Sequence, residues 1–179
     1  MKTTQILIAG FGGQGILFAG KFLAYKGLKE DLQVSWLPSY GPEMRGGTAN
    51  CNVILSETPV GSPIVTEPDV LIAMNLPSLQ KYVNTVAPGG QIYVDSALID
   101  EKVARTDVEV FYIPATQMAK DEGIASLANM IIVGSLLENN AELSFEGVEN
   151  VVSSLVPPKK AALIELNMKA LNLGKAYGK

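Results

Sequence analysis

The sequence predicts a doubly wound α/β domain, with one mainly parallel β-sheet and helices on both of its faces. Short apolar runs of strand length alternate along the chain with segments whose apolar residues recur at helical spacing. The 179 residues, 47% of them hydrophobic, suffice for one full core. No repeat, linker or low-complexity stretch interrupts the alternation. We therefore expect one three-layer domain over residues 1–179.

The first half of the chain opens with a strand, a glycine-rich turn and a helix. Residues 5–10 form an apolar run, and apolar residues then recur at helical spacing over residues 14–28. A second strand is predicted at residues 32–37. A third is predicted at residues 48–55, where apolar and polar residues alternate as in a strand with one buried face. A stiff, glycine-rich loop joins these two strands.

The second half continues the alternation of strands and helices. The predicted strands lie at residues 70–74, 91–94 and 108–113. The predicted helices lie at residues 77–86, 114–122, 125–138, 145–155 and 159–177. Because strands that alternate with helices run parallel and are covered on both faces, this order indicates a Rossmann-like three-layer sandwich.

The composition excludes several classes of function. The formal net charge of −4 gives no electropositive field for nucleic acid. One cysteine, Cys51, and no histidine exclude an internal disulfide, an iron–sulfur cluster held by this chain and the common imidazole base. The apolar run near the start is too short for a signal peptide or a membrane span. We therefore expect a cytoplasmic protein without a membrane partner.

The turn after the first strand carries the spacing G-x-G-x-x-G at Gly10, Gly12 and Gly15. Glycines at these positions allow a sharp turn and a close ligand approach, and the amides at the start of the following helix attract anions. We predict an anion or phosphate site at Gly12, Gly13, Gln14 and Gly15. The alternative is that these glycines serve packing alone.

A dinucleotide site would need an acidic residue at the end of the second strand to bind the ribose. That strand ends in Ser35-Trp36-Leu37, and the nearest carboxylates, Glu30 and Asp31, precede it. An independent NAD(P)-binding oxidoreductase is therefore the second interpretation, and a purely structural interaction module is the third.

The loop over residues 38–50 combines stiff, glycine-rich and polar features. An arginine beside two glycines can meet a phosphate or carboxylate without steric obstruction. The alternative is an ordered surface loop in which Glu43 and Arg45 pair with each other or with solvent. The candidate ligand-binding residues here are Ser39, Tyr40, Gly41, Glu43, Arg45, Gly46, Gly47, Thr48 and Asn50.

Three further polar positions follow predicted strands: Asn75, Asp95 and Thr116. The carboxyl ends of parallel strands meet at the edge where α/β sheets bind ligands, so these side chains could line that edge. Residues of these types are more often helix caps or turn residues.

Two motifs together resemble a known family. Residues 10–17, Gly-Phe-Gly-Gly-Gln-Gly-Ile-Leu, and residues 37–50, Leu-Pro-Ser-Tyr-Gly-Pro-Glu-Met-Arg-Gly-Gly-Thr-Ala-Asn, resemble the gamma subunit or fused gamma domain of pyruvate- and 2-oxoacid:ferredoxin oxidoreductases. The resemblance continues through residues 61–65, the helix with Asn129 and the helix at residues 159–174. It covers essentially the whole chain.

The resemblance implies an enzyme that oxidatively decarboxylates a 2-oxoacid to an acyl-CoA and reduces ferredoxin. Alpha and beta subunits form the thiamine diphosphate and Mg site, a ferredoxin-like delta subunit supplies further iron–sulfur clusters, and the gamma subunit is associated with the coenzyme A side. The isolated chain is expected to be inactive, with no catalytic residue and no metal of its own. Low charge and a mean hydropathy of +0.22 suggest a covered apolar surface, and hence a homodimer when the chain is isolated.

The resemblance also bears on the substrate. The form of the motif over residues 40–50 is most similar to gamma subunits of 2-oxoglutarate oxidoreductases. It is somewhat similar to those for branched-chain 2-oxoacids, and pyruvate-type subunits usually differ within this loop. The resemblance therefore implies 2-oxoglutarate, with branched-chain 2-oxoacids or pyruvate as alternatives.

Overall fold

The structure is a computed structural model that describes residues 2–39 and 48–177. Strands and helices alternate along these ranges. The strands are β1 (Thr3–Phe11), β2 (Gln33–Ser39), β3 (Thr48–Ser56), β4 (Val70–Ala73), β5 (Gln91–Asp95) and β6 (Glu109–Ile113). The helices are α1 (Ile16–Lys29), α2 (Leu76–Tyr82), α3 (Ala115–Asp121), α4 (Ala128–Asn139), α5 (Val148–Leu155) and α6 (Ala162–Tyr177).

The strands form one sheet in the order β2-β3-β1-β4-β5-β6. The pairs β1–β4, β4–β5 and β5–β6 are parallel, which confirms the mainly parallel sheet. β3 is the exception, since it runs antiparallel to both β1 and β2. The reason is the connection. Only residues 40–47 connect β2 to β3, and a connection this short is below the length of about a dozen residues that a parallel crossover needs, so β3 returns in the opposite direction.

Side chains along the central strands point alternately to the two faces of the sheet, so the strands contribute to two separate apolar layers. Ile6, Ile8 and Ile72 belong to the larger core cluster, whereas Leu7 and Leu71 belong to the smaller one. The larger cluster includes buried residues from α1, α3, α4, α5 and α6, and the smaller one includes Leu79 of α2. Helices on both faces are thus confirmed, but they are divided unequally between the faces.

Several helices are shorter than the sequence predicts. Short 3₁₀ turns flank three of them, at Val83–Thr85, Ala125–Leu127 and Pro158–Lys160, where apolar periodicity predicts continuous α-helix. The helix predicted from residue 145 begins at Val148, because Gly147 takes a left-handed conformation with φ 71° and serves as its N-cap. The periodicity locates each helix but not its ends.

Helices α4 and α6 approach each other closely. A Cβ atom on Gly134 of α4 would lie 2.0 Å from the carbonyl oxygen of Leu171, and one on Gly174 of α6 would lie 1.7 Å from that of Ile131. These two contacts pair the helices in antiparallel directions. Both positions therefore accommodate only a residue without a side chain.

Of the helices in the described ranges, none has the length and apolar character needed to cross a membrane.

Candidate functional site

Strand register brings the ends of both sequence motifs to one edge of the sheet. Phe11, the last residue of β1, lies opposite Thr48, the first residue of β3. Ser39, the last residue of β2, lies opposite Asn50. The glycine turn after β1 and both ends of the segment 40–47 therefore meet at the carboxyl edge of the parallel strands, where α/β folds bind ligands.

The turn between β1 and α1 presents backbone groups at this edge. Gly12 and Gly13 are exposed, and Gly13 takes a φ of 93°. Helix α1 begins at Ile16, two residues later than predicted, with Gly15 as its N-cap at φ 73°. The first-turn amides of a helix have no intrahelical partner, and no side chain in the described ranges caps them. The turn can therefore donate hydrogen bonds to an anion.

Two of the motif glycines have packing roles. A Cβ atom on Gly10 would lie 2.7 Å from the side chain of Ile16 and 2.9 Å from that of Met74. A Cβ atom on Gly15 would lie 2.5 Å from the amide nitrogen of Asn129. The packing interpretation thus holds for Gly10 and Gly15, and it leaves the exposed pair between them available to a ligand.

The side chain of Gln14 is engaged within the protein. Its Oε1 accepts a hydrogen bond from the amide of Phe11 at 2.6 Å, and its Nε2 donates to the carbonyl oxygen of Met74 at 2.8 Å. It therefore ties the turn to the ends of β1 and β4. This engagement competes with the direct ligand contact predicted for Gln14 from the sequence.

The structure also describes three predicted ligand-binding residues from the ends of the second motif. Ser39 is exposed at the end of β2. Asn50 is half-buried and donates from Nδ2 to the hydroxyl of Tyr82 at 3.1 Å. Thr48 begins β3 at the same edge. The remaining predicted residues lie outside the described residues: Tyr40, Gly41, Glu43, Arg45, Gly46 and Gly47.

The three other polar positions after strands act as caps or turn residues. Asn75 caps α2, its Oδ1 accepting from the amide of Ser78 at 2.9 Å. Asp95 is fully buried and accepts from the hydroxyl of Thr116 at 2.5 Å and from the amide of Ala97 at 3.2 Å. Their geometry matches the structural interpretation, because these oxygens are bound within the fold.

Cys51 lies beneath this edge, fully buried in β3. Its Sγ donates to the carbonyl oxygen of Ile16 at 3.6 Å. Burial raises the pKa of the Cys51 thiol to about 12. The thiol is therefore neutral at physiological pH and is a poor nucleophile. In the described part of the chain, no group of three or more His, Cys, Asp or Glu residues is placed to hold a metal ion.

Two residues at the edge were not predicted from the sequence to belong to the site. Asn129, in the first turn of α4, donates from Nδ2 to the carbonyl oxygen of Gly15 at 3.0 Å. Tyr82, at the end of α2, contacts Asn50. A polar amide among the apolar residues at the start of α4 was the available signal for Asn129, whereas nothing in the sequence around Tyr82 indicates its position.

Comparison with known protein families supports the resemblance drawn from the motifs. Residues 5–177 match the family model for pyruvate ferredoxin/flavodoxin oxidoreductase. The chain is 34% identical over 178 residues to the 2-oxoglutarate synthase subunit KorC of Methanothermobacter marburgensis, an alignment that covers 96% of this chain and 94% of KorC.

A second relative is longer than this chain. The chain is 36% identical over 176 residues to the ketoisovalerate oxidoreductase subunit VorA of Methanothermobacter thermautotrophicus, an alignment that covers 98% of this chain. The chain spans 36% of the length of VorA.

Two solved structures share the fold. The keto/oxoacid ferredoxin oxidoreductase gamma subunit from Geobacter sulfurreducens matches with a TM-score of 0.82 at 29% identity, over 98% of both chains. The 2-oxoglutarate:ferredoxin oxidoreductase from Magnetococcus marinus, solved with 2-oxoglutarate, coenzyme A and succinyl-CoA bound, matches with a TM-score of 0.87 at 27% identity. That match covers 99% of this chain and 31% of the other. With the ends of both motifs at one sheet edge and a family match over nearly its whole length, the chain belongs to the pyruvate ferredoxin/flavodoxin oxidoreductase family.

Proposed function

We propose that this chain is the gamma subunit of a 2-oxoacid:ferredoxin oxidoreductase and forms part of its coenzyme A site. The observation that carries the proposal is the meeting of the α1 turn and the ends of the 40–47 segment at one sheet edge. The Magnetococcus marinus enzyme, which shares this fold, was solved with coenzyme A bound. The complex would oxidatively decarboxylate a 2-oxoacid, form an acyl-CoA and reduce ferredoxin.

The edge fits the charge of coenzyme A, whose nucleotide end carries several phosphate groups. The turn offers the uncapped first-turn amides of α1, together with the exposed backbone of Gly12 and Gly13. The positive end of the helix dipole adds to the attraction for a phosphate. Arg45, in the adjoining segment, would supply a charge-assisted hydrogen bond. These groups bind and orient the molecule, and the acyl transfer itself belongs to the thiamine centre.

The proposed substrate is 2-oxoglutarate, with branched-chain 2-oxoacids as the alternative. KorC and VorA, named for 2-oxoglutarate and ketoisovalerate, are 34% and 36% identical to this chain. This small difference favours neither acid, and the proposal of 2-oxoglutarate rests on the resemblance of the motif over residues 40–50 to the 2-oxoglutarate type. Pyruvate remains the weaker alternative.

The other cofactors are assigned to partner subunits. We propose that alpha and beta subunits hold thiamine diphosphate and Mg, and that a ferredoxin-like delta subunit holds further iron–sulfur clusters. The single buried Cys51 of this chain cannot ligate a cluster that needs several thiolates. The proposed setting of the complex is the cytoplasm.

The sheet order weakens the NAD(P) alternative. In dinucleotide-binding folds the second strand lies beside the first and carries the ribose-binding acid. Here β3 lies between β1 and β2, and β2 ends in Ser39. The glycine turn is therefore present without the neighbouring strand and acid that a dinucleotide site uses.

Replacement of Arg45 by Ala in the assembled complex tests the proposal. Loss of a charge-assisted hydrogen bond to phosphate is expected to weaken coenzyme A binding by about 1.5–3 kcal/mol. The KM for coenzyme A should therefore rise about ten- to a hundredfold. The measurement is steady-state oxidation of the 2-oxoacid with ferredoxin as acceptor, at varied coenzyme A.

Decarboxylation of the 2-oxoacid without coenzyme A is the control for this variant. It should barely change, because its chemistry lies in other subunits. An unaltered KM for coenzyme A would mean that Arg45 does not bind coenzyme A and belongs to an ordered surface loop. A fall in thiamine affinity would instead place the segment 40–47 at the interface with the alpha subunit.

A further inference from the structure

Two side-chain amides brace the turn that opens α1. Gln14 holds it from within, through Phe11 and Met74, and the amide of Met74 in turn donates to the carbonyl oxygen of Ala9 at 2.9 Å. The turn is thereby fixed to the ends of two neighbouring parallel strands. Its position relative to the sheet depends on a side chain rather than on strand pairing alone.

Asn129 holds the same turn from the opposite side. It lies on α4, is 3% exposed, and donates from Nδ2 to the carbonyl oxygen of Gly15 at 3.0 Å. That oxygen also accepts from the amide of Ala19 at 3.0 Å, the first hydrogen bond of α1. Asn129 therefore binds the carbonyl group from which the helix starts. The orientation of the first-turn amide groups therefore depends on the position at which this carbonyl group is held.

The other end of the Asn129 amide has no hydrogen-bond partner. Its Oδ1 is buried and unsatisfied among the described residues. An unsatisfied buried acceptor destabilises the folded state, so the Oδ1 of Asn129 makes no favourable contribution to stability. An apolar residue of the same shape would fill the position without that penalty. The feature that only an amide provides here is the hydrogen bond to Gly15.

We propose that Asn129 is a positioning residue for coenzyme A, acting through the α1 turn together with Gln14. By fixing the Gly15 carbonyl it aims the first-turn amides at the place of the phosphate, without itself contacting the ligand. Gln14 is also a positioning residue in this proposal, whereas the sequence predicts that it contacts the ligand directly. This inference rests on the proposed function of the sheet edge.

Asn129→Leu in the assembled complex is the main test, because leucine is similar in shape, carries no charge and cannot donate. The dissociation constant for coenzyme A, measured by calorimetric titration of the complex, should rise about tenfold, and the KM for coenzyme A should rise with it. The value of kcat and the decarboxylation of the 2-oxoacid without coenzyme A should stay within about twofold. Thermal stability should be unchanged or higher, since the unsatisfied Oδ1 is removed.

Asn167→Leu is the matched control. Asn167 of α6 is also 3% exposed, donates from Nδ2 to a main-chain carbonyl, that of Leu163 at 2.7 Å, and has a buried Oδ1 without a partner in the described ranges. The antiparallel packing of α6 on α4 places it toward the end of α4, where the carbonyl oxygen of Asn139 accepts from Gln91 at the start of β5. This is the opposite edge of the sheet from Gly15. The control should change stability similarly and leave coenzyme A binding as it is.

Gln14→Met provides a second test should Asn129→Leu fail to assemble. Methionine has nearly the length of glutamine but makes neither of its hydrogen bonds, and position 14 is only half-buried. The same rise of about tenfold in the dissociation constant is expected.

The outcomes separate the two proposals. If Asn129→Leu and Gln14→Met bind coenzyme A as the wild type does while Arg45→Ala does not, the positioning role is overturned and the proposed function stands. Leu17→Pro adds a further arm, since proline in the first helical turn removes one of the uncapped amides. If this variant and Arg45→Ala also bind normally, the coenzyme A site itself is wrong, and the positioning role falls with it.

Discussion

At the scale of single residues, Cys51 shows how burial determines chemistry. The thiol is fully buried and its pKa is about 12, while the unfolded chain has the ordinary value of 9.0. Folding therefore favours the protonated thiol. Its contribution to the free energy of unfolding is fully present below pH 9 and is lost as the pH rises toward 12. Tyr93 acts in the same direction, because burial, aided by the charge of Glu109, raises its pKa.

Comparison of the wild type with Cys51→Ser isolates the contribution of the thiol. Between pH 9 and 11 the wild type should lose stability faster than the variant, by up to about 1.4 kcal/mol per pH unit. The measurement is urea unfolding of both proteins at a series of alkaline pH values. Parallel pH profiles would show that the thiol titrates normally in the folded protein.

Residue identity alone indicated only part of the candidate site. The glycines of the α1 turn were recognisable because their spacing follows from the needs of a tight strand-to-helix turn. The engagement of Gln14 with Met74, and of Asn129 with Gly15, joins residues 60 and 114 positions apart. No local pattern reports such pairs, since they exist only once the sheet and α4 have assembled.

At the scale of elements, the contact between α4 and α6 depends on two glycines. Alanine at position 134 would gain about 1 kcal/mol of helix propensity. Its Cβ atom would lie 2.0 Å from a backbone oxygen, which a side-chain rotation cannot relieve. Separation of the helices should outweigh the gain.

We expect Gly134→Ala to destabilise the protein by about 2 kcal/mol net. Chemical denaturation of the purified chain measures this. Gly61→Ala is the matched control, because nothing lies within 4 Å of its added Cβ atom, so its stability should stay within about 0.5 kcal/mol of the wild type. Equal stability of the two variants would mean that α4 and α6 are not in close contact.

At the scale of the whole molecule, several large apolar side chains remain exposed. They are Phe11, Leu28, Leu37, Ile64, Leu98, Leu163, Leu166 and Tyr177. Strands β2 and β6 lie at the two edges of the sheet. Exposed apolar groups and unpaired strand edges both favour association with another chain.

The isolated chain is therefore expected to self-associate, most simply as a symmetric dimer. Light scattering over a range of protein concentrations measures this. Assembly with the partner subunits should abolish the homodimer if both use the same surface. A strict monomer at high concentration would show that the exposed apolar groups do not hold chains together.

The sequence by itself determined the alternation of strands and helices, the parallel core of the sheet and the family. These features follow from local periodicity, turn residues and two contiguous motifs, each of which involves residues that are close together in the sequence. Only the tertiary structure decided the antiparallel insertion of β3, the unequal covering of the two faces and the bracing of the α1 turn by Asn129. Strand order and helix contacts depend on which distant segments pack against each other. This long-range packing is determined by the whole core and not by the sequence of any one segment.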